Sequence, residues 1–402
     1  MDNYCLTQGI TTWSARMTNK ALQRFLSLHD FEKAARALLP APLYAYVSGA
    51  VEDEESIAAN RSAFKNYAFR PNVLVDVSNV DTSVTLFGVN YATPVGVAPM
   101  GIAAMTSYRG DIALAAAARR AGAMCIMSGS SLVRLEEVMA AAPGTWFQAY
   151  LPGQQAQIDA LIQRVQHAGV EVLVLTVDTP VAANRENNIR AGFSTPLRPS
   201  AALAWEGLTH PRWLLGTFAR TLLRHGMPHF ENNYSTRGAP IVSSNVLRDF
   251  SDRAHLTWEH VARVRKMWKG PLVIKGILNV ADLARARNIG ADAVIVSNHG
   301  GRQLDGSVAP LLVLPEMIEA AGEFPVMLDS GVRRGTDVLK ALALGARAAW
   351  IGRPFNYAAT VGGEAGVLHA LELIKQEVKR DMGLLGVASV AGIGRHHLCR
   401  SR

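Results

Sequence analysis

The sequence predicts an α/β fold: a TIM-type (β/α)8 barrel with an N-terminal helical extension and a long insertion after the fourth strand. Three observations predict it. Eight short, continuously apolar runs recur along the chain, most are separated by a stretch of helical periodicity, and a polar group or glycine stands at almost every run's C-terminal end. Continuous apolar strands joined through helices belong to a parallel sheet covered on both faces, and eight repeats fit a closed barrel better than the competing open doubly wound sheet.

Residues 1–20 lack the basic start, apolar centre and small-residue cleavage site of a secretory signal, and read as a disordered extension ahead of a single domain spanning 21–402. A helical section over 21–59 follows. The apolar runs are then 95–98, 124–127, 146–149, 172–177, 272–274, 293–296, 326–328 and 348–351. Helical periodicity fills 110–121, 154–168, 280–288 and 335–344. One connection breaks the rhythm: about 80 residues separate the fourth run from Thr257, far more than an ordinary loop, which marks an insertion over about 186–256. Between Arg185 and His225 there are six Arg, two Glu and neither Lys nor Asp. The stretches around Trp205 and Trp213 mix aromatic, aliphatic and cationic residues, which suits membrane contact at about 205–226, and equally a helix packed over the barrel mouth or a subunit contact.

Composition narrows the function classes. Of 402 residues, 49% are hydrophobic and 18% charged, the balance of a folded globular chain. No apolar run reaches the length of a membrane-spanning helix. The net charge of +8 admits anionic ligands or an acidic membrane surface, but the basic residues form no tract interleaved with aromatics, which argues against nucleic acid. Cys5, Cys125 and Cys399 have no metal-ligand spacing, so no metal is expected, and reduced thiols point to the cytoplasm.

The most informative stretch is Ser297-Asn298-His299-Gly300-Gly301-Arg302-Gln303-Leu304-Asp305, directly after the sixth apolar run. His exchanges protons near neutral pH, Arg offers a planar fork to a carboxylate, and two glycines let a ligand approach the backbone. Barrel active sites collect at the C-terminal ends of the strands. The other ends here carry Pro99, Met100 and Gly101; Ser128; Gln148 and Tyr150; Thr176 and Asp178; Lys275; Asp329; and Gly352 with Arg353. Asp329-Ser330-Gly331-Val332-Arg333-Arg334-Gly335 and Ile351-Gly352-Arg353 follow the seventh and eighth runs, where these barrels commonly hold a phosphate. Taken alone, each Gly-Arg pair could equally be a helix cap.

These motifs, with Tyr46-Val47-Ser48-Gly49-Ala50, Phe147-Gln148-Ala149-Tyr150 and Leu175-Thr176-Val177-Asp178-Thr179-Pro180, resemble those of the FMN-dependent L-2-hydroxy acid oxidising family, from about Leu39 to His397. That family includes glycolate oxidase, the lactate and mandelate dehydrogenases and flavocytochrome b2. The resemblance implies FMN, a small 2-hydroxy acid as substrate, a 2-oxo acid as product and a homotetramer. It makes His299 the catalytic base and Asp178 the group that stabilises its imidazolium. Arg302 and Arg185 would clamp the substrate carboxylate, with Tyr46 and Tyr150 on its oxygens. Lys275 would lie by the flavin's pyrimidine end, and Gln148, Thr176, Ser128 and Ser297 would bond the ring or ribityl chain. Asp329 would meet ribityl hydroxyls, with Gly331, Arg333, Gly352 and Arg353 around the phosphate and Pro99, Met100 and Gly101 against the flavin. For the Ser and Thr positions, backbone capping is the competing reading.

The chain also departs from the family pattern. Gly101 resembles the dehydrogenases and a monooxygenase more than glycolate oxidase, Ser130 replaces a Trp of glycolate oxidase, and Ser330 replaces a usual Gly. The insertion resembles that of the membrane-associated lactate and mandelate dehydrogenases. The expected acceptor is therefore a quinone or other membrane electron acceptor, on the inner face of the cell membrane. The alternative is an oxygen-using 2-hydroxy acid oxidase or a lactate monooxygenase-like enzyme.

Overall fold

The structure is a computed structural model that describes residues 19–244 and 253–401. Most of the extension expected over 1–20 lies outside the described residues. Eight parallel strands close into a barrel: β1 (Val95–Val97), β2 (Met124–Ser128), β3 (Trp146–Ala149), β4 (Leu173–Thr176), β5 (Leu272–Ile277), β6 (Ala293–Val296), β7 (Val326–Leu328) and β8 (Ala349–Ile351). They pair in sequence order, and β8 closes on β1 with Ala349, Trp350 and Ile351 opposite Val95, Gly96 and Val97. All eight fall on the apolar runs, because a strand buried on both faces leaves no alternation to blur its limits.

The barrel interior is a core of its own, containing Met124, Ile126, Val174, Val273, Ile295 and Met327 around Trp146 and Trp350. The two indoles lie 5.1 Å apart. Gly96 makes room for them, since a Cβ there would stand 2.3 Å from the Trp350 ring. Below, the hairpin of strands Val84–Leu86 and Val89–Tyr91 plugs the barrel, and the Trp146 indole N–H donates to the Tyr91 hydroxyl at 3.2 Å. Side chains therefore close this end, which leaves the C-terminal ends of the strands as the place for a ligand site.

The N-terminal section is broken rather than one stretch: a single turn at Asn19–Leu22, then helices Leu28–Leu38, Ala41–Ser48 and Glu55–Ser62. Pro40 ends the first of these helices, because the residue before a proline leaves the helical region, and starts the second as its N-cap. Helices at 110–120, 155–167, 280–288 and 335–343 match the periodic stretches within one residue at each end.

The insertion folds over the barrel mouth. Its helix Ala201–Thr209 supplies Glu206, whose carboxylate accepts from the Ala41 N–H at 2.8 Å. The next helical stretch begins at Pro211, passes through a π-helical turn at Leu214–Ala219 and ends at His225. Trp213 faces inward and donates to the Met105 carbonyl at 2.7 Å. Trp205, Leu208, Leu215 and Leu223 face outward, each at least half exposed. One face thus packs on the barrel and the other leaves an apolar surface in solvent. Among the described residues, no helix is long and apolar enough to cross a membrane.

Candidate active site

The turn after β6 carries the reactive geometry. His299, Gly300 and Gly301 all have left-handed backbones, with φ of 57, 70 and 74°. Glycine adopts these angles without cost; His299 does so only because its surroundings enforce it. The His299 N–H donates to Ser297 Oγ at 3.0 Å and the Gly300 N–H to Ser330 Oγ at 3.0 Å. The Gly301 N–H meets Asn298 Oδ1 at 3.1 Å. Asn298 is fixed in turn by exchanging two amide hydrogen bonds with Asn60, at 2.8 and 2.7 Å.

So held, His299 presents Nδ1 to Asp178 Oδ1 at 2.9 Å. The contact depends on Gly276, which sits at a bulge in β5 with φ of 105° and whose missing Cβ would otherwise lie 2.7 Å from Asp178. Burial holds the His299 pKa below that of an ordinary imidazole, against the pull of Asp178, so the ring is neutral at pH 7 and can accept a proton. Burial alone would raise Asp178; His299 and Lys275 outweigh it and keep the carboxylate ionised. Tyr150 stacks near the imidazole, ring centres 6.5 Å apart, and burial followed by Asp178 raises its pKa, so it remains a hydrogen-bond donor.

Arg253 and four further guanidiniums, those of Arg302, Arg185, Arg353 and Arg333, line the cavity. Arg302 donates to the Gly49 carbonyl at 2.8 Å and lies over the Tyr46 ring, 5.0 Å from its centre. Arg185 donates to the Arg302 carbonyl at 3.1 Å and to Gln303 Oε1 at 2.8 Å. Arg353 donates to Val47, Gly49 and Gly300 carbonyls, and Arg333 to that of Val332. Among the described residues, none of the four has a carboxylate partner. Burial, then Arg185 and Arg353, push Arg302 down to about 9, while burial, then Arg353 and Arg61, push Arg333 down to about 10. Half-buried cations without a carboxylate partner call for anions.

All of the sequence-predicted site residues line one cavity of about 370 Å³, except Asp178, Ser128, Gln148 and Ser297, which stand behind its wall. The Ser128 hydroxyl donates to Gln148 Oε1 and accepts from the Ser130 N–H, while Ser297 Oγ accepts from Lys275 Nζ at 2.7 Å. Lys275 also pairs with Asp329 at 2.8 Å. Burial alone would lower the lysine pKa; Asp329 and Asp178 outweigh it, so a fixed ammonium sits at the end of β5. Gly331 is needed for packing, since a Cβ there would meet the Asn60 carbonyl oxygen at 2.3 Å. At Gly101, a Cβ would crowd the Tyr46 hydroxyl at 2.9 Å and Ser130 at 3.1 Å.

The match with known proteins decides the family. The model of the FMN-dependent dehydrogenases covers residues 35–400. The chain belongs to this family. It is 40% identical to an L-lactate dehydrogenase of Caulobacter vibrioides (strain NA1000 / CB15N) over 376 residues, 91% of this chain and 96% of that one. It is 34% identical to the (S)-mandelate dehydrogenase of Pseudomonas putida over 377 residues, 94% of both. A crystal structure of the monotopic membrane protein (S)-mandelate dehydrogenase superposes with a TM-score of 0.84 at 32% identity, over 94% of this chain and all of that one.

The residues of this FMN-dependent dehydrogenase fit its cofactor. Buried Gln148 Nε2 and Thr176 Oγ1 have no partner among the described residues, as polar atoms facing a bound ring would. Arg333 and Arg353, at the ends of β7 and β8, supply charge for a phosphate. Sequence reading missed three contributors. Asn60 and Asn298 find each other across 238 residues, and Phe193, in the aperiodic insertion, stacks on Tyr46 at 4.7 Å. No local pattern announces such pairs.

Proposed function

We propose that this enzyme oxidises an L-2-hydroxy acid to the 2-oxo acid and passes the electrons to a quinone or other membrane acceptor. One observation carries the reading: a neutral, carboxylate-anchored His299 faces Arg302 and Arg185, which have no carboxylate partner among the described residues. A 2-hydroxy acid offers a carboxylate for the guanidiniums and a CH–OH for the base, on adjacent carbons. Arg302 and Arg185 orient the carboxylate, and Tyr46 and Tyr150 reach its oxygens or the hydroxyl. His299 takes one of the two protons that leave, and Asp178 stabilises the imidazolium formed. FMN, when bound, would supply the acceptor for the electron pair and for the second proton.

The test is an anaerobic screen for bleaching of the flavin absorbance with L-2-hydroxy acids of increasing side-chain size, followed by reoxidation with a soluble quinone or with oxygen. We expect bleaching by at least one L-acid, none by its D-isomer, and reoxidation at least tenfold faster with quinone than with air. No bleaching by any acid would end the enzymatic reading. Peroxide or a decarboxylated acid at a rate matching the quinone would instead establish an oxidase or a monooxygenase.

The outward face of the insertion supports peripheral membrane contact on the cytoplasmic side. Trp205, Leu208, Leu215 and Leu223 form its apolar part, with Arg212 and Arg224 beside them. The structural relative described as monotopic supports the same reading. Vesicles containing anionic lipid are expected to sediment the protein, and the double change Trp205→Ser, Leu223→Ser to reduce binding at least tenfold without changing dye-acceptor activity. Equal binding by the variant would remove this surface from the interface. A homotetramer, four times the 43.3 kDa of the chain, completes the proposed assembly.

A further inference from the structure

Ser330 occupies a position that glycine would fill with less strain. Its φ is 75°, in the left-handed region, and the preceding residue, Asp329, is the partner of Lys275. The serine hydroxyl repays that strain with two bonds. It donates to Asp329 Oδ1 at 2.8 Å and accepts from the Gly300 N–H at 3.0 Å.

These bonds close a ring. From His299, the backbone N–H reaches Ser297 Oγ, which also accepts from Lys275 Nζ; Lys275 pairs with Asp329 Oδ2, and Asp329 Oδ1 accepts from Ser330. Ser330 then returns to the Gly300 N–H, the next amide along, on the other side of the His299 Cα. The ring grips two successive amides of a turn whose φ values are all positive, one of them that of His299. Among the described residues, no other group of the segment that follows β7 bonds to the backbone amides of this turn.

We propose that Ser330 is a positioning residue: its hydroxyl ties the Lys275–Asp329 pair to the His299–Gly300 turn and so fixes the direction from which His299 meets the substrate. The inference rests on the reading of His299 as the base. It assigns to Ser330 no contact with substrate. Removing the hydroxyl leaves the Gly300 N–H without its acceptor and lets the turn relax while the imidazole keeps its bond to Asp178. A displacement of about 1 Å at a reacting group can lower a rate by about a hundredfold.

The decisive variant is Ser330→Gly, made in the FMN-loaded enzyme. Glycine suits φ of 75°, so the backbone gains what it lost and only the hydroxyl is removed. We expect FMN retained, a melting temperature equal to or above that of the parent, and 2-oxo acid binding within threefold. Anaerobic flavin reduction should fall at least tenfold, and the 15N resonances of the His299 imidazole should broaden or split as the turn samples more than one arrangement. Ser330→Ala, which keeps the Cβ and lacks the hydroxyl, should show the same loss of rate. If Ser330→Gly reduces its flavin within threefold of the parent with an unchanged His299 spectrum, the serine only replaces a glycine and the proposal fails. It fails equally if the variants lose FMN, since the hydroxyl would then serve cofactor retention. His299→Ala, run in parallel, separates the two readings: unimpaired reduction in that variant would overturn the role of His299 itself.

Discussion

Replacing His299 with Ala is expected to slow anaerobic flavin reduction by about 10³- to 10⁴-fold while leaving FMN bound and the 2-oxo acid affinity within a few-fold. The expectation follows from how few groups can take the proton. His299 is the neutral base whose ring lies on the cavity wall, and Tyr150 beside it is held protonated by burial and by Asp178. Lys275 is committed to Asp329 and Ser297, and the guanidiniums are cations. Asp178 stands behind the wall and reaches the cavity through the imidazole. Stopped-flow absorbance at the flavin band checks the rate, and equilibrium titration with a 2-oxo acid checks that binding survives.

The pH dependence has a definite sign. Burial depresses the His299 pKa, so the neutral form persists below the ordinary imidazole value of about 6.5. Catalysis needs that form in the free enzyme, so kcat/KM should be flat through neutrality and fall only as pH drops through a pKa below 6.5. Asp178→Asn removes the carboxylate that opposes this depression. The variant's acid limb should therefore move to still lower pH while its maximal rate falls, because the imidazolium formed in the reaction loses its anion. A limb moving upward would mean that Asp178 does not act through His299.

How much of this was legible in the sequence follows from which forces act locally. The strands could be read because burial on both faces demands unbroken apolar runs such as 293–296, and the site could be read because the barrel brings the residues after those runs to one end. His299 and Arg302 stand three residues apart, so their partnership is visible on one line. The restraints on them are not. The Asn60–Asn298 exchange, the Lys275–Asp329 pair and the Phe193–Tyr46 stack each join elements distant in sequence. A dihedral such as that of Ser330 is likewise set by the loop as a whole; the sequence shows only that serine stands where the family usually has glycine. The insertion is the intermediate case. Its composition signalled an apolar and cationic surface, but not that Trp213 turns inward while Trp205 turns out.

The second large effect is expected at Arg302, and it should separate binding from chemistry. Arg302→Ala removes the guanidinium nearest Tyr46 and is expected to lower kcat/KM by about 10²- to 10³-fold, the loss of a charge-assisted, forked bond of about 3 to 4 kcal/mol. Most of it should appear as weaker 2-oxo acid binding, whereas His299→Ala spares that affinity. Arg302→Lys should recover only part, because an ammonium is a point charge without the planar fork that can face a carboxylate while it holds the Gly49 carbonyl. The stability of the ligand-free protein should move the other way. Arg302 is crowded by Arg185 and Arg353 and has no carboxylate partner among the described residues, so Arg302→Ala relieves like-charge repulsion and a desolvated cation together. Its melting temperature without substrate should equal or exceed that of the parent. Saturating 2-oxo acid should then stabilise the parent by several degrees and the variant much less, because only a ligand that binds the native state raises its stability. A variant both less stable and unimpaired in oxo acid binding would show that Arg302 holds the Gly49 segment rather than the substrate.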